Sequence, residues 1–340
     1  MQVGVNMVGA TTSCSWDDDR YLRTVVSTIR QVQPEVRLLL FTEASAQPSL
    51  DGWDCVPVDG LSHLERAAKR EKVDLLFTPL SCALPKCGLP QVLLVSNLAE
   101  AETALAGRRR DAARVKAIRR TCVDAAALVA PSRFVQRECL DLLEIPLDKI
   151  VVAPPGTDPV FDKPQPCFVQ QPYLLTVAGA EGFSDVARLR KALSALEDKM
   201  PHSLVVVGPA EDGEPEEWGP RVLRIYDCPQ AQLAALHQHC GLFVYVPFRD
   251  GVGLAVLEAM RAGAPIVTSR VGAIPEVAGD VPLYANPNSV GSIVAGIWRL
   301  LEEGLEGRDR RIRFGRQMAA KYTWENCAWR TVTAFRHACR

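Results

Sequence analysis

The sequence predicts an α/β protein built from two doubly wound, parallel-sheet domains, and three observations lead there. Short apolar runs alternate with longer amphipathic ones, which is the pattern of strands covered by helices. The alternation breaks once, at a proline-rich stretch, and then restarts. With 340 residues, 48% apolar content and a net charge of −1, the chain has enough material for two ordinary domains and no charge bias toward nucleic acid.

The elements follow in order. "QVGVNMV", "VRLLLFT", "DLLFTPL", "QVLLVS" and "AALVAP" are short apolar runs of the kind buried in parallel sheets. Helical periodicity separates them, as over residues 18–32 and 61–70. The stretch "KIVVAPPGTDPVFDKPQPCFVQQP" holds six prolines between Pro154 and Pro172, a density that breaks both helix and strand. Beyond it come "YLLTVAG", "SLVVVGP", "RVLRIY", "LFVYVP" and "APIVTS". The expected division is a first domain over residues 1–160, a second over 161–323, and a closing helix over 324–340 that crosses back to the first. Two such domains facing across a cleft bind ligands outside the carboxyl ends of their strands.

No run approaches the roughly 18 apolar residues of a membrane span, and no basic leader precedes the first strand, so a cytoplasmic location is expected. The eleven cysteines are scattered and odd in number, and Cys82 and Cys87 have no second pair to complete a metal cage. They read as reduced thiols, with no metal site.

The most informative stretch is "RDGVGLAVLEAMRAGAPIVTS", residues 249–269. "GLFVYVP" is the preceding strand, "FRDGVG" the loop at its carboxyl end, and "LAVLEAMRAG" a helix closed by Gly263 with Pro265 beyond. Gly251 and Gly253 allow the backbone to approach a ligand, and free N–H groups on Val252, Gly253 and Leu254 form an anion site. Glu258 lies one turn into the helix, where the dipole favours a carboxylate whose oxygens can accept from the paired hydroxyls of a ribose. A nucleotide diphosphate satisfies all three features. The alternative is a plain turn followed by an ordinary exposed helix glutamate.

This stretch, with "VGAIPEVAGDVPLYANP" after it, resembles the donor-site signature of the retaining glycosyltransferases of family 4, which have the GT-B fold. The resemblance extends over "LVVVGPAED", "AGDVPLYANPNSVGSIVAGIWRLL" and "YTWENCAWRTVTAFRHA", and back to "LVAPSRFVQRECLDLLEIPLDKIVVAPPGTDPVF". It implies transfer of a sugar from a nucleotide diphosphate sugar, without a metal or other cofactor. Glu258 matches the glutamate that holds the ribose. Asp250, one methylene shorter than the family's other glutamate, matches the contact to the transferred sugar, and the backbone of Gly251, Val252, Gly253 and Leu254 matches the contacts to sugar and distal phosphate.

Other positions depart from the pattern. Phe183 and Ser184 stand where the family places an Arg and a Lys against the diphosphate; Arg20, Arg133 and Arg270 are the nearby candidates to replace them. Asp17, Asp18 and Asp19 occupy the place of a glycine-rich turn, and repel a diphosphate unless they point away or pair with Arg20. Ser96 and Asn97 replace a His-Asp pair, and His63, His202, His237, His239 and His337 read as surface or helix residues. Two function classes follow: an active glycosyltransferase, or a GT-B scaffold that has lost turnover and serves as a ligand-binding or partner subunit.

"AGRRRDAARVKAIRRTC" adds seven basic residues and one acid between Ala106 and Cys122. Arg108, Arg109, Arg110, Lys116 and Arg120 are candidates for weak peripheral contact with anionic lipid; the alternative is a solvated helix face.

Overall fold

The computed structural model describes residues 1–8, 16–44, 52–99, 111–178, 186–196, 199–208, 218–226 and 228–339. The chain divides into two compact units, Met1–Pro155 with Trp324–Arg340, and Gly156–Thr323. Both are parallel α/β sheets.

The first unit runs β1 (Gln2–Asn6), α1 (Trp16–Val32), β2 (Arg37–Glu43), β3 (Cys55–Val58), α2 (Leu61–Arg70), β4 (Leu75–Pro79), β5 (Gln91–Leu94), α3 (Asp111–Asp124), β6 (Ala127–Ala130), α4 (Arg133–Leu143) and β7 (Ile150–Val152). Its seven strands lie in the order β3-β2-β1-β4-β5-β6-β7, with Val5 opposite Leu40 on one side and Phe77 on the other. Residues 75–79 of β4 are all buried, so no alternation is visible in that strand; both of its faces are covered. Leu93, Leu128, Val115 and Val135 form one core of this unit, and Phe41, Leu64 and Leu76 belong to another. Ser132 caps α4, its Oγ accepting from Val135 N at 3.1 Å.

The last helix, α11 (Trp324–Ala338), belongs to this unit. Tyr21 on α1 is fully buried and donates from its hydroxyl to Ala153 O at 2.5 Å, while Cys327 Sγ lies 2.9 Å from the Tyr21 hydroxyl oxygen. Its ring meets Trp324 edge-on at 5.6 Å, and Phe77 meets Phe335 at 5.2 Å. A buried phenol without an acceptor is costly, so the Ala153 carbonyl fixes where α1 and α11 meet.

The second unit runs β8 (Tyr173–Val177), α5 (Val186–Ser194), β9 (Ser203–Val207), β10 (Val222–Ile225), α6 (Gln230–His239), β11 (Leu242–Tyr245), α7 (Leu254–Ala262), β12 (Ile266–Thr268), α8 (Ile274–Ala278), β13 (Leu283–Tyr284), α9 (Val290–Leu301) and α10 (Leu305–Ala319). Its order is β10-β9-β8-β11-β12-β13, all parallel. Strand order reverses between β8 and β11, so that unit's ligand crevice is expected at the carboxyl ends of those two strands. Leu174, Val206, Val244 and Val267 pack beneath Val186 and Leu189 of α5 and Ile293 and Ile297 of α9.

The proline-rich stretch is not a free linker. Gln238 on α6 donates from Nε2 to Phe161 O and Lys163 O at 2.9 Å and accepts from Gln165 N at 2.9 Å, so residues 161–165 are bound to the second unit. His237, expected as a surface or helix residue, is a fully buried helix residue whose ring lies 4.7 Å from Phe243. Among the described residues, no helix is long and apolar enough to cross a membrane.

Candidate functional site

The loop between β11 and α7 leaves the sheet at the reversal point, and its shape is held from three directions. Ser269 donates from Oγ to Pro247 O at 2.5 Å. Ala273 N donates to Asp250 O at 2.7 Å. Within the loop, Asp250 Oδ1 accepts from Val252 N at 2.8 Å and from Gly253 N at 2.6 Å, the arrangement in which a short carboxylate closes a turn on its own backbone.

These bonds correct the expectation of free amides at Val252 and Gly253: both donate to Asp250. Leu254 opens α7, where its N–H has no acceptor inside the helix, and its side chain is buried. Asp250 is only 9% exposed. Burial raises its carboxyl above the ordinary range, opposed by the bonds from Gly253, Val252 and the Tyr245 side chain.

Two glycines are required by this packing. Gly253 has φ +75°, and a Cβ there would lie 2.7 Å from Val277 Cγ2. Gly272 has φ +56°, and a Cβ there would lie 1.9 Å from Asp250 O, inside any permissible contact. The loop after β12 thus presses directly against the backbone of Asp250.

Glu258 is 2% exposed, on a helix whose residues Leu254, Val256, Leu257, Ala259 and Met260 are also buried. The alternative of an ordinary exposed glutamate is therefore removed. A carboxylate is among the groups least often buried, and this one stands one turn past the glycine loop. α7 ends as expected, at Gly263, whose N–H donates to Ala259 O at 3.0 Å.

The remaining expected positions divide between the two units and the residues outside the description. Phe183 and Ser184 lie outside the described residues, as do Arg108, Arg109 and Arg110. Asp19 pairs with Arg23, at 2.7 Å and one helical turn away; the side chains of Asp17 and Asp18 lie outside the description. Ser96 is buried, and Asn97 accepts from Ala99 N at 2.7 Å. Arg270 donates to Asp280 at 3.0 Å and lies over the Tyr284 ring. Arg20 and Arg133 sit on α1 and at the start of α4 in the first unit. On α3, Lys116 and Arg120 are exposed, Arg120 stands 3.7 Å from Asp124, and Arg119 pairs with Glu144.

One basic residue beside the loop was not singled out from the sequence. Arg188, in the first turn of α5, places Cζ 4.1 Å from the Phe248 ring centroid and donates from Nη1 to Pro287 O. The available signals were its place four residues after Ser184 and an aromatic residue in an otherwise polar loop.

Residues 171–303 match the family described as glycosyl transferases group 1, and residues 42–161 match glycosyltransferase family 4. O-antigen chain mannosyltransferase B of Escherichia coli is 29% identical over 246 residues, covering 65% of this chain and 63% of that protein. The chain spans less than two thirds of the length of the curated relatives it matches first. Among solved structures, sucrose-phosphate synthase from Thermosynechococcus elongatus superposes with a TM-score of 0.80 at 15% identity, covering 99% of this chain and 98% of the other. Anabaena HepE, solved in complex with UDP and glucose, gives 0.79 at 14% identity and 99% coverage of both chains. At these identities the structural likeness speaks for the fold.

Proposed function

The chain belongs to family 4 of the glycosyltransferases, with the GT-B fold, and from that membership we propose that it transfers a sugar from a nucleotide diphosphate sugar to an acceptor with retention of anomeric configuration. The observation that carries this reading is Glu258, a buried carboxylate one turn beyond a braced glycine loop at the carboxyl end of β11. In the proposed complex Glu258 accepts from the ribose hydroxyls, the Gly251 to Leu254 backbone lies along the sugar and distal phosphate, and the Asp250 carboxylate accepts from a sugar hydroxyl. The bond between the anomeric carbon and the phosphate oxygen breaks with its electron pair leaving on the diphosphate. The acceptor oxygen bonds to the same face of the sugar, and its proton passes to the departing phosphate. Mannose is the first sugar to test, since the relative named above is a mannosyltransferase. A peripheral membrane contact rests, among the described residues, on Lys116 and Arg120, and retention on anionic vesicles at low salt tests it.

Calorimetry with UDP, GDP and ADP, and then with the sugar nucleotide of whichever base binds, tests the site independently of turnover. Glu258→Gln keeps the shape but removes charge-assisted bonds of roughly 1.5–3 kcal/mol each, so nucleotide affinity falls at least about tenfold. Asp250→Asn weakens the sugar nucleotide and leaves the diphosphate nearly unaffected. Glu258→Gln binding as tightly as the parent defeats the assignment.

A further inference from the structure

One face of α10 borders a cavity far from the residues discussed so far. Gly307, Arg310, Arg311, Phe314, Gln317 and Met318 recur at three- and four-residue spacing, which puts them on one side of the helix. With Glu303, Lys321 and the turn between α8 and β13 they enclose about 470 Å³, a volume in the range of small-molecule sites. That turn enters β13 at its amino end, and Arg316 of α10 donates from Nη2 to Ala262 O at 3.1 Å, just ahead of β12. The cavity therefore lies at the amino ends of these parallel strands, whereas the β11–α7 loop leaves the sheet at a carboxyl end.

The wall of the cavity is held from within. Arg311 donates from Nη1 to Val281 O at 2.6 Å and grips Glu303 with two bonds, Nη2 to Oε1 at 2.8 Å and Nε to Oε2 at 3.1 Å. The bond from Arg311 holds the Glu303 carboxyl below its ordinary range against the opposing effect of burial, with smaller help from the charges of Arg310 and Arg299. Gly307 makes room for this pair, since a Cβ there would lie 2.9 Å from Glu303 Cγ. The other acid of the lining, Asp280, pairs with Arg270 at 3.0 Å. Among the described residues neither Arg310 nor Lys321 forms an ion pair, and both are exposed. Phe314 stands between them along the helix with half of its surface open.

We propose that this cavity is a second ligand site, for a small organic phosphate ester whose phosphate meets Arg310 and Lys321 and whose apolar body lies against Phe314 and Met318. The charge around the cavity fits such a ligand. Four cations, Arg270, Arg310, Arg311 and Lys321, stand against two acids, Asp280 and Glu303, and a phosphate monoester brings about −1.5 to −2 at neutral pH. Guanidinium and ammonium groups both bind phosphate oxygens by charge-assisted hydrogen bonds. A purely polar anion would leave Phe314 uncovered, and a purely apolar molecule would leave the positive charge unanswered.

The experiment is calorimetric titration of the full chain with phenyl phosphate, inorganic phosphate and benzyl alcohol, with urea unfolding of each variant alongside. Phenyl phosphate should saturate one site, and the other two should bind at least about tenfold more weakly, one lacking the ring and the other the charge. Replacing both cations, Arg310→Gln with Lys321→Gln, should weaken phenyl phosphate at least about tenfold and flatten its salt dependence at an unchanged urea midpoint. Phe314→Ala should weaken phenyl phosphate and leave inorganic phosphate as it was. Glu258→Gln should bind phenyl phosphate like the parent, which separates this cavity from the donor site. Flotation with phosphatidylglycerol vesicles distinguishes a free ester from a lipid headgroup: any retention should be equal in the parent and the double variant. The proposal is overturned if phenyl phosphate shows no saturable binding, if inorganic phosphate binds as tightly, if Glu258→Gln weakens it, or if the double variant binds it like the parent. It is overturned equally if the double variant loses affinity together with its urea midpoint, or if it alone loses vesicle retention.

Discussion

Truncating Asp250 to alanine should destabilise the second unit, because its carboxylate is the acceptor on which the β11–α7 loop closes. Oδ1 takes the amides of Val252 and Gly253 at 2.8 and 2.6 Å, and at 9% exposure little water can take its place. Each donor left without a partner costs about 1–3 kcal/mol. Part of that loss is offset, since burial raises the Asp250 carboxyl and the variant no longer buries a charge. The net expectation for Asp250→Ala is about 2–4 kcal/mol. Asp250→Asn keeps an oxygen facing both amides and should stay within about 1 kcal/mol of the parent. The two also differ in pH dependence. A carboxyl whose folded value lies above its unfolded value of about 3.9 contributes stability that is fully present below the unfolded value and is lost as pH rises through the folded one. Asp250→Asn therefore gains on the parent as pH rises through that window and lacks that part of its slope. Urea unfolding monitored by circular dichroism from pH 3.5 to 7 measures both effects. Alanine as stable as the parent at pH 7, or asparagine as damaging as alanine, refutes the reasoning.

Two further outcomes are expected. Gly272→Ala forces a Cβ to 1.9 Å from Asp250 O at a φ of +56°, so the loop must move; a loss of about 2 kcal/mol or more in urea unfolding is expected, with weaker nucleotide binding in calorimetry. Among the described cysteines, burial pushes the thiols of Cys122, Cys240 and Cys327 up to about 12, so the native protein at pH 8 should be alkylated at exposed Cys167 well before any of these three, as mass spectrometry of the labelled peptides can establish.

Much of the fold was legible because its signals are local. "DLLFTPL" and "SLVVVGP" are apolar along their whole length since both faces of a central parallel strand are covered, and β4 and β9 form within them. Gly263 and Pro265 mark the end of α7 by chemistry that acts within one turn. The strands β3, β7 and β13 were not foreseen. They have four, three and two residues and lie at sheet edges or close to them, where neither length nor continuous apolarity separates a strand from a loop.

The site divides in the same way. Sequence alone determined that a glycine loop leaves a buried strand, that a helix starts at its end, and that Glu258 stands one turn inside that helix, because spacing along the chain sets all three. It also carried the family, since the order of many weak motifs survives where no single one is specific. Only the tertiary structure decided what the loop's groups do. Two of the three amides read as free for an anion, those of Val252 and Gly253, turn inward to Asp250, and the backbone of Asp250 is held by Gly272 and Ala273 from the next loop. Arg188 reaches the same place from a helix sixty residues earlier in the chain. A hydrogen bond or a stacked ring depends on where side chains meet in space, and residues distant in sequence meet only once the sheet has brought their strand ends together.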